Sequence, residues 1–559
     1  MDKTLLVGLD AACWEYLDPL LQAGRLPTLQ KLMDHGAWGV LKSTMPPWTP
    51  TAWSSLVTGK NPGKHGVFDM LWRQPGDYDF KLTNAQLRQG VPFWQYLNHA
   101  GVHVGLANIP FTHPPAPLQG FMLCGFGTPD SARNLTWPPD ALEWVESQSG
   151  PYEPIVSTDL LHSGAPEEIL AAEKKHQGRL IEAATALAEQ YQVDVLAINL
   201  MLTDHANHKM PELEQVQEAY LQSDADIASL IDAFKPDNVL LISDHGSSRL
   251  KGDFLLNVWL RDHGYCVYHE NTPAQQEAAF SWILKQWSHD HKGWSGRPEK
   301  ALRRLIRLLY PRLPRVLKQR FWARIERAIP CAQSHMRLST RPDYSRTAVF
   351  PGSLYSGLLY FNVSGREPDG VIAAGEKRAL VSRLKDELSK IQEPDTGRPL
   401  FTNIFSADEL YDGQAAAQAP DIIVDAYRAQ WNIRTRQPAP FAGKQHDRYF
   451  VTFDQNRDFG WHSPDGVFVF AGPAILPGSA ADAPLLMDLP ATLLHLYDVP
   501  QPEDWDGRVL LELLAPELSR RPVRTQPGDV GSVAADEHAY STAEADSMLR
   551  HLRALGYLD

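Results

Sequence analysis

The stretch PPWTPTAWSSLVTGKNPGKHG (46–66) crowds hydroxyls, tryptophans and prolines together and closes on Gly-Lys-His-Gly. Thr49 stands between Trp48 and Pro50, and a proline disfavours helix at the residue before it. The local reading is a stiff turn at Thr49 with helix resuming near Thr51. Its hydroxyl then lies near a helix N-terminus, where backbone N–H groups favour an anion. A threonine there also serves as an ordinary N-cap, and the stretch alone leaves both roles open. Four other segments offer metal-type ligands. GLDA supplies Asp10, TDHANH supplies Asp204, His205 and His208, SDHG supplies Asp244 and His245, and GWHSPDG supplies His462. Each alone is a weak signal, because an Asp after a buried strand commonly caps a helix and a lone His commonly sits on the surface or in the core. Together, three Asp and three His at strand ends suffice for two mixed N/O sites. That mixture suits zinc, manganese or iron better than magnesium or calcium.

Such ligands need a frame. TLLVGLD (4–10), VHVGLANIP (102–110), VDVLAINL (193–200), NVLLISDHG (238–246) and DGVFVFAGP (465–473) are short apolar runs, several ending in an acid. Between them lie stretches with helical spacing, such as 167–190. Short buried strands alternating with helices predict a mostly parallel α/β sheet. Ligands in such sheets gather at the carboxyl ends of the strands, where Asp10, Asp204, Asp244 and His245 are expected. Residues 419–426 (APDIIVDA) read as a further strand of the same sheet. The segment 251–345 differs: from 292 to 327 it is strongly basic, and prolines 311 and 314 split two amphipathic helices. It reads as a helical insertion capping the site, either an ordinary solvated decoration or a surface for an anionic substrate or anionic membrane lipid. The expected division is a catalytic core at 1–250 and 346–515, the insertion at 251–345, and an arm at 516–559. That arm is polar and loosely held to about 543, then a short helix.

The chain has 559 residues, 43% hydrophobic and 21% charged, which is a globular composition. A net charge of −14 argues against a nucleic-acid binder. Four scattered cysteines, Cys13, Cys124, Cys266 and Cys331, show no zinc-ribbon or CxxC spacing, as in a reduced, cytoplasmic protein. The first residues carry too short an apolar run for a signal peptide, and no run reaches the length of a spanning helix.

The motifs and their order resemble the type I phosphodiesterase/nucleotide pyrophosphatase branch of the alkaline phosphatase superfamily. Members begin with a strand ending in Asp and place a metal-bound Thr or Ser nucleophile about seven residues before an LVTG-like run, followed by P-x-x-H-G. Here Thr49 precedes LVTG (56–59) and NPGKHG (61–66). D-x-x-x-H matches Asp204 and His208, S-D-H-G matches 243–246, and a late G-x-H matches Gly460-Trp461-His462. The segment 487–510 and the terminal LRALGYLD also resemble parts of this superfamily, and 270–340 is the least matched region.

The resemblance implies an alkaline-phosphatase-like fold and two divalent metal ions. One ion would be held by Asp204, His208 and His462, the other by Asp10, Asp244 and His245, with Thr49 between them. It implies attack by Thr49, a phospho-threonine ester, and attack by a water activated at the Asp204/His208/His462 ion. His205 has no counterpart. One departure stands out: eukaryotic-type nucleotide pyrophosphatases place an Asn that holds a phosphate oxygen where this chain has Met70, which cannot donate a hydrogen bond. Asn108, Lys60 and Arg88 are candidate replacements, and Trp48, Trp53 and Trp72 are candidates for stacking on a base or sugar, or for packing. The expected substrate is a small phosphate ester or nucleotide-like molecule. The alternatives are a phosphomonoesterase, a phosphoryl transferase or mutase of the same fold, and a metal-stabilised membrane or partner binding protein. No C-x-P-x-R motif of formylglycine sulfatases occurs.

Overall fold

The apolar runs become neighbouring strands. A computed structural model describes residues 2–74, 76–269, 342–352, 357–435, 443–445, 448–453, 460–528 and 540–555. Its main sheet contains β1 (Thr4–Leu9), β2 (Gly36–Lys42), β3 (Val104–Ile109), β4 (Gly120–Cys124), β5 (Thr136–Trp137), β6 (Val195–Leu200), β7 (Asn238–Ile242) and β8 (Asp465–Ala471). The eight strands lie in the order β2-β8-β7-β1-β6-β3-β4-β5. From β7 to β4 every pair is parallel. Strands β8, β2 and β5 add antiparallel pairs at the two sides.

Both faces of this sheet are covered, which is why its strands read as continuous apolar runs. In β1, Leu5, Val7 and Leu9 enter one core cluster with residues of the helices Pro166–Gln190 and Leu213–Phe234. Leu6 enters another, with residues of the helices Thr49–Thr58, Phe93–His99 and Asp488–Leu496. This is the alternation of a pleated strand between two helical layers. No helix among the described residues is long and apolar enough to cross a membrane.

Residues 252–262 and 349–453 build two further four-stranded sheets. Phe254, Trp259, Phe361, Leu384, Ile422 and Phe450 share a hydrophobic cluster there. The strand Ile422–Asp425, expected in the main sheet, pairs instead with Leu358–Phe361 and Asn403–Ser406. A four-residue apolar run signals burial but does not say in which sheet. The basic stretch 292–327 lies outside the described residues. The tail is more firmly tied than its composition suggests. Thr525–Gln526 pairs with Gln501–Pro502, and the helix Thr542–Leu555 buries Met548, Leu552 and Leu555.

The second pair of sheets is pinned to the main body by charge. Arg73 donates to both Glu367 oxygens, at 2.7 and 2.8 Å, and both side chains are buried. The Arg73 guanidinium also lies 4.8 Å from the Tyr360 ring centroid. Removing Arg73 leaves buried Glu367 with Arg366, whose Nε lies 2.9 Å from its Oε1, and breaks the shorter bidentate pair, at a cost approaching about 3–5 kcal/mol, that of a broken buried pair. Arg73→Ala should therefore lower the denaturation midpoint sharply. Arg73→Met combined with Glu367→Met should recover most of the loss; equal stability of the wild type and Arg73→Ala would refute the pinning role.

Candidate functional site

Strands β7, β1 and β6 are adjacent and parallel, so their carboxyl ends open on one edge. Asp10 follows β1, Asp244 and His245 follow β7, and the helix Leu202–Lys209 follows β6. That helix carries Asp204 and His208 four residues apart, a spacing that puts both on one face. His462 comes from the strand Gly460–Ser463, which pairs with Gly246–Arg249 so that His462 lies opposite Ser247.

Two groups of potential metal ligands result. One is Asp204, His208 and His462, the other Asp10, Asp244 and His245; all six residues are buried, and within each group the ligand atoms lie within 4.8 Å of one another. His208 Nε2 is 3.3 Å from Asp204 Oδ1 and 3.0 Å from His462 Nε2. His245 Nε2 is 3.3 Å from Asp244 Oδ2 and 3.7 Å from Asp10 Oδ1. The groups adjoin: the His245 and His462 rings stack at 4.0 Å.

The rings are aimed by their other nitrogens. His245 Nδ1 lies 3.1 Å from the Gly246 carbonyl, and His462 Nδ1 lies 3.1 Å from the Pro47 carbonyl. A carbonyl can only accept, so each Nδ1 carries the proton and each Nε2 presents a lone pair. Asn199 Nδ2 holds Asp10 Oδ2 at 2.9 Å, leaving Asp10 Oδ1 buried without a hydrogen-bond partner, as is Asp244 Oδ2. The partnerless oxygens of Asp10 and Asp244 beside His245 Nε2 fit a cation in that group, and Asp204, His208 and His462 offer the same mixture of carboxylate and imidazole to a second.

The electrostatics agree. Burial, then the charges of Asp244 and Asp204, holds the Asp10 carboxyl well above the usual range. Burial, then Asp204, pushes Asp244 up to about 8. For Asp204 burial acts upward too, but His208, His462 and His245 outweigh it and hold the carboxyl well below the usual range. Burial, then His245 and His208, keeps His462 well below an ordinary histidine. Without cations, Asp10 and Asp244 resist ionisation while Asp204 stays charged.

Thr49 sits where the groups meet, with Oγ1 3.2 Å from His245 Nε2 and no exposure. The helix Thr49–Thr58 begins at Thr49 itself, two residues earlier than the sequence reading placed it. Pro50 falls in the first turn, where its missing N–H has no helical role, so the rule for a residue preceding proline yields. The preceding residue, Trp48, is the N-cap and makes no side-chain capping bond. Thr49 Oγ1 therefore faces the ligands rather than capping the helix.

The substrate candidates fare differently. Lys60 lies past the far end of that ten-residue helix, about 15 Å along its axis from Thr49, and pairs with Asp504 at 2.5 Å. Arg88 is buried and donates to the Phe111 carbonyl at 3.2 Å, near His65, whose Nε2 lies 2.8 Å from Ser55 Oγ. Lys60 is not brought to Thr49, because closeness in sequence does not survive a rigid helix. Asn108 lies at the end of β3 in a left-handed conformation (φ 55°), but its Nδ2 donates to the Asn199 carbonyl. Trp48 is buried against Trp461 (5.4 Å) and His462 (4.8 Å), so it packs on a ligand ring. Trp53 is a core residue, and Lys81 lies over the Trp72 ring at 5.6 Å.

Two features escaped the sequence reading. Asn199 is a polar residue inside a buried strand, the signal that could have marked it. Glu173 Oε1 holds His205 Nδ1 at 2.8 Å, both buried, which ties His205 away from either ligand group. The approach of Asn199 depends on Gly8 of β1: a Cβ there would come 2.4 Å from Asn199 Oδ1 and 2.8 Å from Trp53 Cζ2. Gly8→Ala should cost about 1–3 kcal/mol of stability and loosen the hold on Asp10, lowering metal affinity in a titration. Unchanged melting and affinity would overturn this.

Comparison with solved structures finds phosphonoacetate hydrolase from Sinorhizobium meliloti 1021, crystallised with phosphonoacetate. It is 13% identical, with a TM-score of 0.52 over 88% of this chain and 94% of that one. Murine ectonucleotide pyrophosphatase/phosphodiesterase 5, in complex with AMP, is 13% identical, with a TM-score of 0.46 over 92% of this chain and 100% of that one. Comparison with curated proteins gave no significant match. The first likeness establishes an alkaline-phosphatase-like fold. The profile of the type I phosphodiesterase / nucleotide pyrophosphatase family matches residues 4–465, which spans β1 to the start of β8 and every ligand position above. The chain therefore belongs to the type I phosphodiesterase / nucleotide pyrophosphatase family, phosphoryl-transferring hydrolases of the alkaline phosphatase superfamily.

Proposed function

We propose that the chain is a two-metal phosphohydrolase that cleaves phosphodiester or pyrophosphate bonds through a covalent phospho-threonine at Thr49. The observation that carries this is one buried hydroxyl, Thr49 Oγ1, placed at the junction of two buried three-residue ligand groups. Asp204, His208 and His462 would hold one cation, and Asp10, Asp244 and His245 the other. Zinc suits this mixture of imidazole and carboxylate, with manganese or iron as alternatives. Such ions, when bound, supply the positive charge that activates a hydroxyl near neutral pH and offsets the charge of a phosphate.

The chain's own groups do the rest. The bond from Thr49 Oγ1 to phosphorus forms as the bond to the departing oxygen breaks; the hydroxyl proton passes to solvent, and the departing alkoxide takes a proton from water. Water then displaces Thr49 from phosphorus and restores the hydroxyl. The first turn of the helix Thr49–Thr58 turns its positive end to the phosphate. Trp48 and the Pro47 carbonyl keep the His462 ring in place. A phosphomonoester brings one more negative charge, and the two cations expected to hold it, Lys60 and Arg88, are engaged with Asp504 and the Phe111 carbonyl. That favours a diester over a monoester.

The test is hydrolysis of bis(p-nitrophenyl) phosphate against p-nitrophenyl phosphate by protein stripped of metal and resupplied with zinc or manganese. Metal-dependent turnover with the diester preferred is expected. Preference for the monoester would replace this reading with a phosphomonoesterase. No turnover, together with no metal retained on elemental analysis, would sink the two-metal site.

A further inference from the structure

A cavity of about 200 Å³ lies between the helices Asp140–Ser149 and Pro166–Gln190 and the chain that joins them, and it shares no residue with the two ligand groups. The long helix serves both places. Its Glu173 holds His205, and its Gln177 Oε1 accepts from Leu202 N at 3.3 Å, at the start of the ligand helix. Ala172, Lys175, His176, Arg179, Leu180 and Ala183 line the cavity instead. At 3.6 residues per turn, that face lies roughly a third of a turn from Glu173 and Gln177.

The second wall is tied down. Tyr152, which lines the cavity, donates from its hydroxyl to the Cys124 carbonyl at 2.9 Å. His176 Nε2 donates to the Glu153 carbonyl at 2.7 Å and so fastens that wall to the helix. Val145, Val156, Leu180 and Ala183 are buried and give the cavity an apolar floor.

The rim carries Lys175 and Arg179, both exposed and one helical turn apart. A Cβ on Gly150 would lie 3.4 Å from Arg179 Nη2, so the guanidinium sits beside the turn into Pro151, which lines the cavity. Among the described residues neither cation has an ion-pair or hydrogen-bond partner, although the neighbouring Lys174 is paired with Glu218. Glu153 is the one carboxylate among the lining residues. Two cations against one carboxylate leave a single positive charge above an apolar floor.

That combination matches a molecule with an apolar body and one negative end. A guanidinium binds a carboxylate through two parallel N–H bonds. An apolar cavity of about 150 Å³ takes benzene, so this one admits a straight chain of roughly six to eight carbons. A phosphate monoester would bring a second charge that the rim does not balance, and an ammonium would meet like charge. We propose that this cavity binds a medium-chain carboxylate, with its head at Arg179 and Lys175 and its chain on Val156, Leu180 and Ala183. The site is separate from Thr49 and does not depend on the proposed reaction.

The experiment is calorimetric titration of octanoate, octanol and octyl phosphate into the full chain, once chelated and once zinc-loaded. Octanoate should bind at least about tenfold more tightly than octanol, the scale of one charge-assisted hydrogen bond. Its affinity should be the same with and without zinc. Lys175→Gln combined with Arg179→Gln, at two exposed positions, should erase the preference over octanol. Ala172→Phe, which fills the cavity and leaves its charges in place, should weaken octanoate at least about tenfold and locates the site independently. Equal affinity for octanoate and octanol overturns the proposal, as does a preference that survives loss of both cations. Unchanged affinity in Ala172→Phe, or binding only in the presence of zinc, would put the carboxylate elsewhere and overturns it too. Tighter binding of octyl phosphate than of octanoate to the chelated protein would replace the carboxylate by a phosphate head.

Discussion

Thr49→Ala should reduce turnover of a phosphodiester by on the order of 10³-fold or more, the scale for losing a covalent nucleophile. Both cations should still bind. The physical case is that the methyl and hydroxyl of Thr49 do little for the fold. Its Oγ1 makes no helix cap, and its hydrogen-bonding approach is the 3.2 Å one to His245 Nε2. Losing one such hydrogen bond costs only about 1 kcal/mol, so the variant should melt close to the wild type. Thr49→Ser keeps the hydroxyl and should stay within about tenfold of wild-type activity, since only a methyl group is lost. Acid quenching during turnover of a diester should leave the phosphoryl group, still carrying its remaining ester arm, on the peptide that contains residue 49, in the wild type and in Thr49→Ser. An active Thr49→Ala, or a phosphate trapped on another residue, removes Thr49 from the proposed role.

What was legible in the sequence follows from how its information is stored. Asp10, Asp244 and His245 each end or follow an apolar run, and parallel strands deliver their ends to one edge, so the edge could be read before the fold was known. Asp204 and His208 needed only a helical period. His462 was legible as a candidate ligand from its segment, but its group only through the resemblance, since its place is set by pairing with Gly246–Arg249 more than two hundred residues earlier in the chain. Lys60 misled because eleven residues of sequence became a straight helix and its cap. Asn199 and Glu173 were not legible for one shared reason. Each acts through a partner distant in sequence, Asp10 and His205. The type of a residue says nothing about such a partner. The strand Ile422–Asp425 failed in the same way, at the level of an element.

Metal binding should release protons, and the sign can be worked out from Asp244. In the metal-free protein its carboxyl lies at about 8, against an ordinary 3.8, through burial first and Asp204 second. A raised carboxyl contributes stability that is fully present below the ordinary value and is lost as pH rises through the folded value, at roughly 1.4 kcal/mol per pH unit for each such proton. Asp10 acts in the same direction. His65 and His551, both held near 3 by burial, act the other way, but only below their ordinary 6.5. Between pH 6.5 and 8 the carboxyls therefore set the slope. Chelated protein should melt at lower temperature as pH rises across that window. Zinc-loaded protein should not, because a bound cation takes the place of the protons and binds more tightly as they leave. Calorimetric titration of zinc at pH 7 in buffers of different ionisation heat should show proton release, and Asp244→Asn should release about one proton fewer and bind zinc far more weakly. The same substitution should flatten the pH slope of the chelated protein, since an amide has no proton to lose. Parallel melting curves with and without zinc, or proton release that Asp244→Asn leaves unchanged, would mean that the buried carboxylates are ionised without a cation. The electrostatic argument for a metal in the group of Asp10, Asp244 and His245 would then fail.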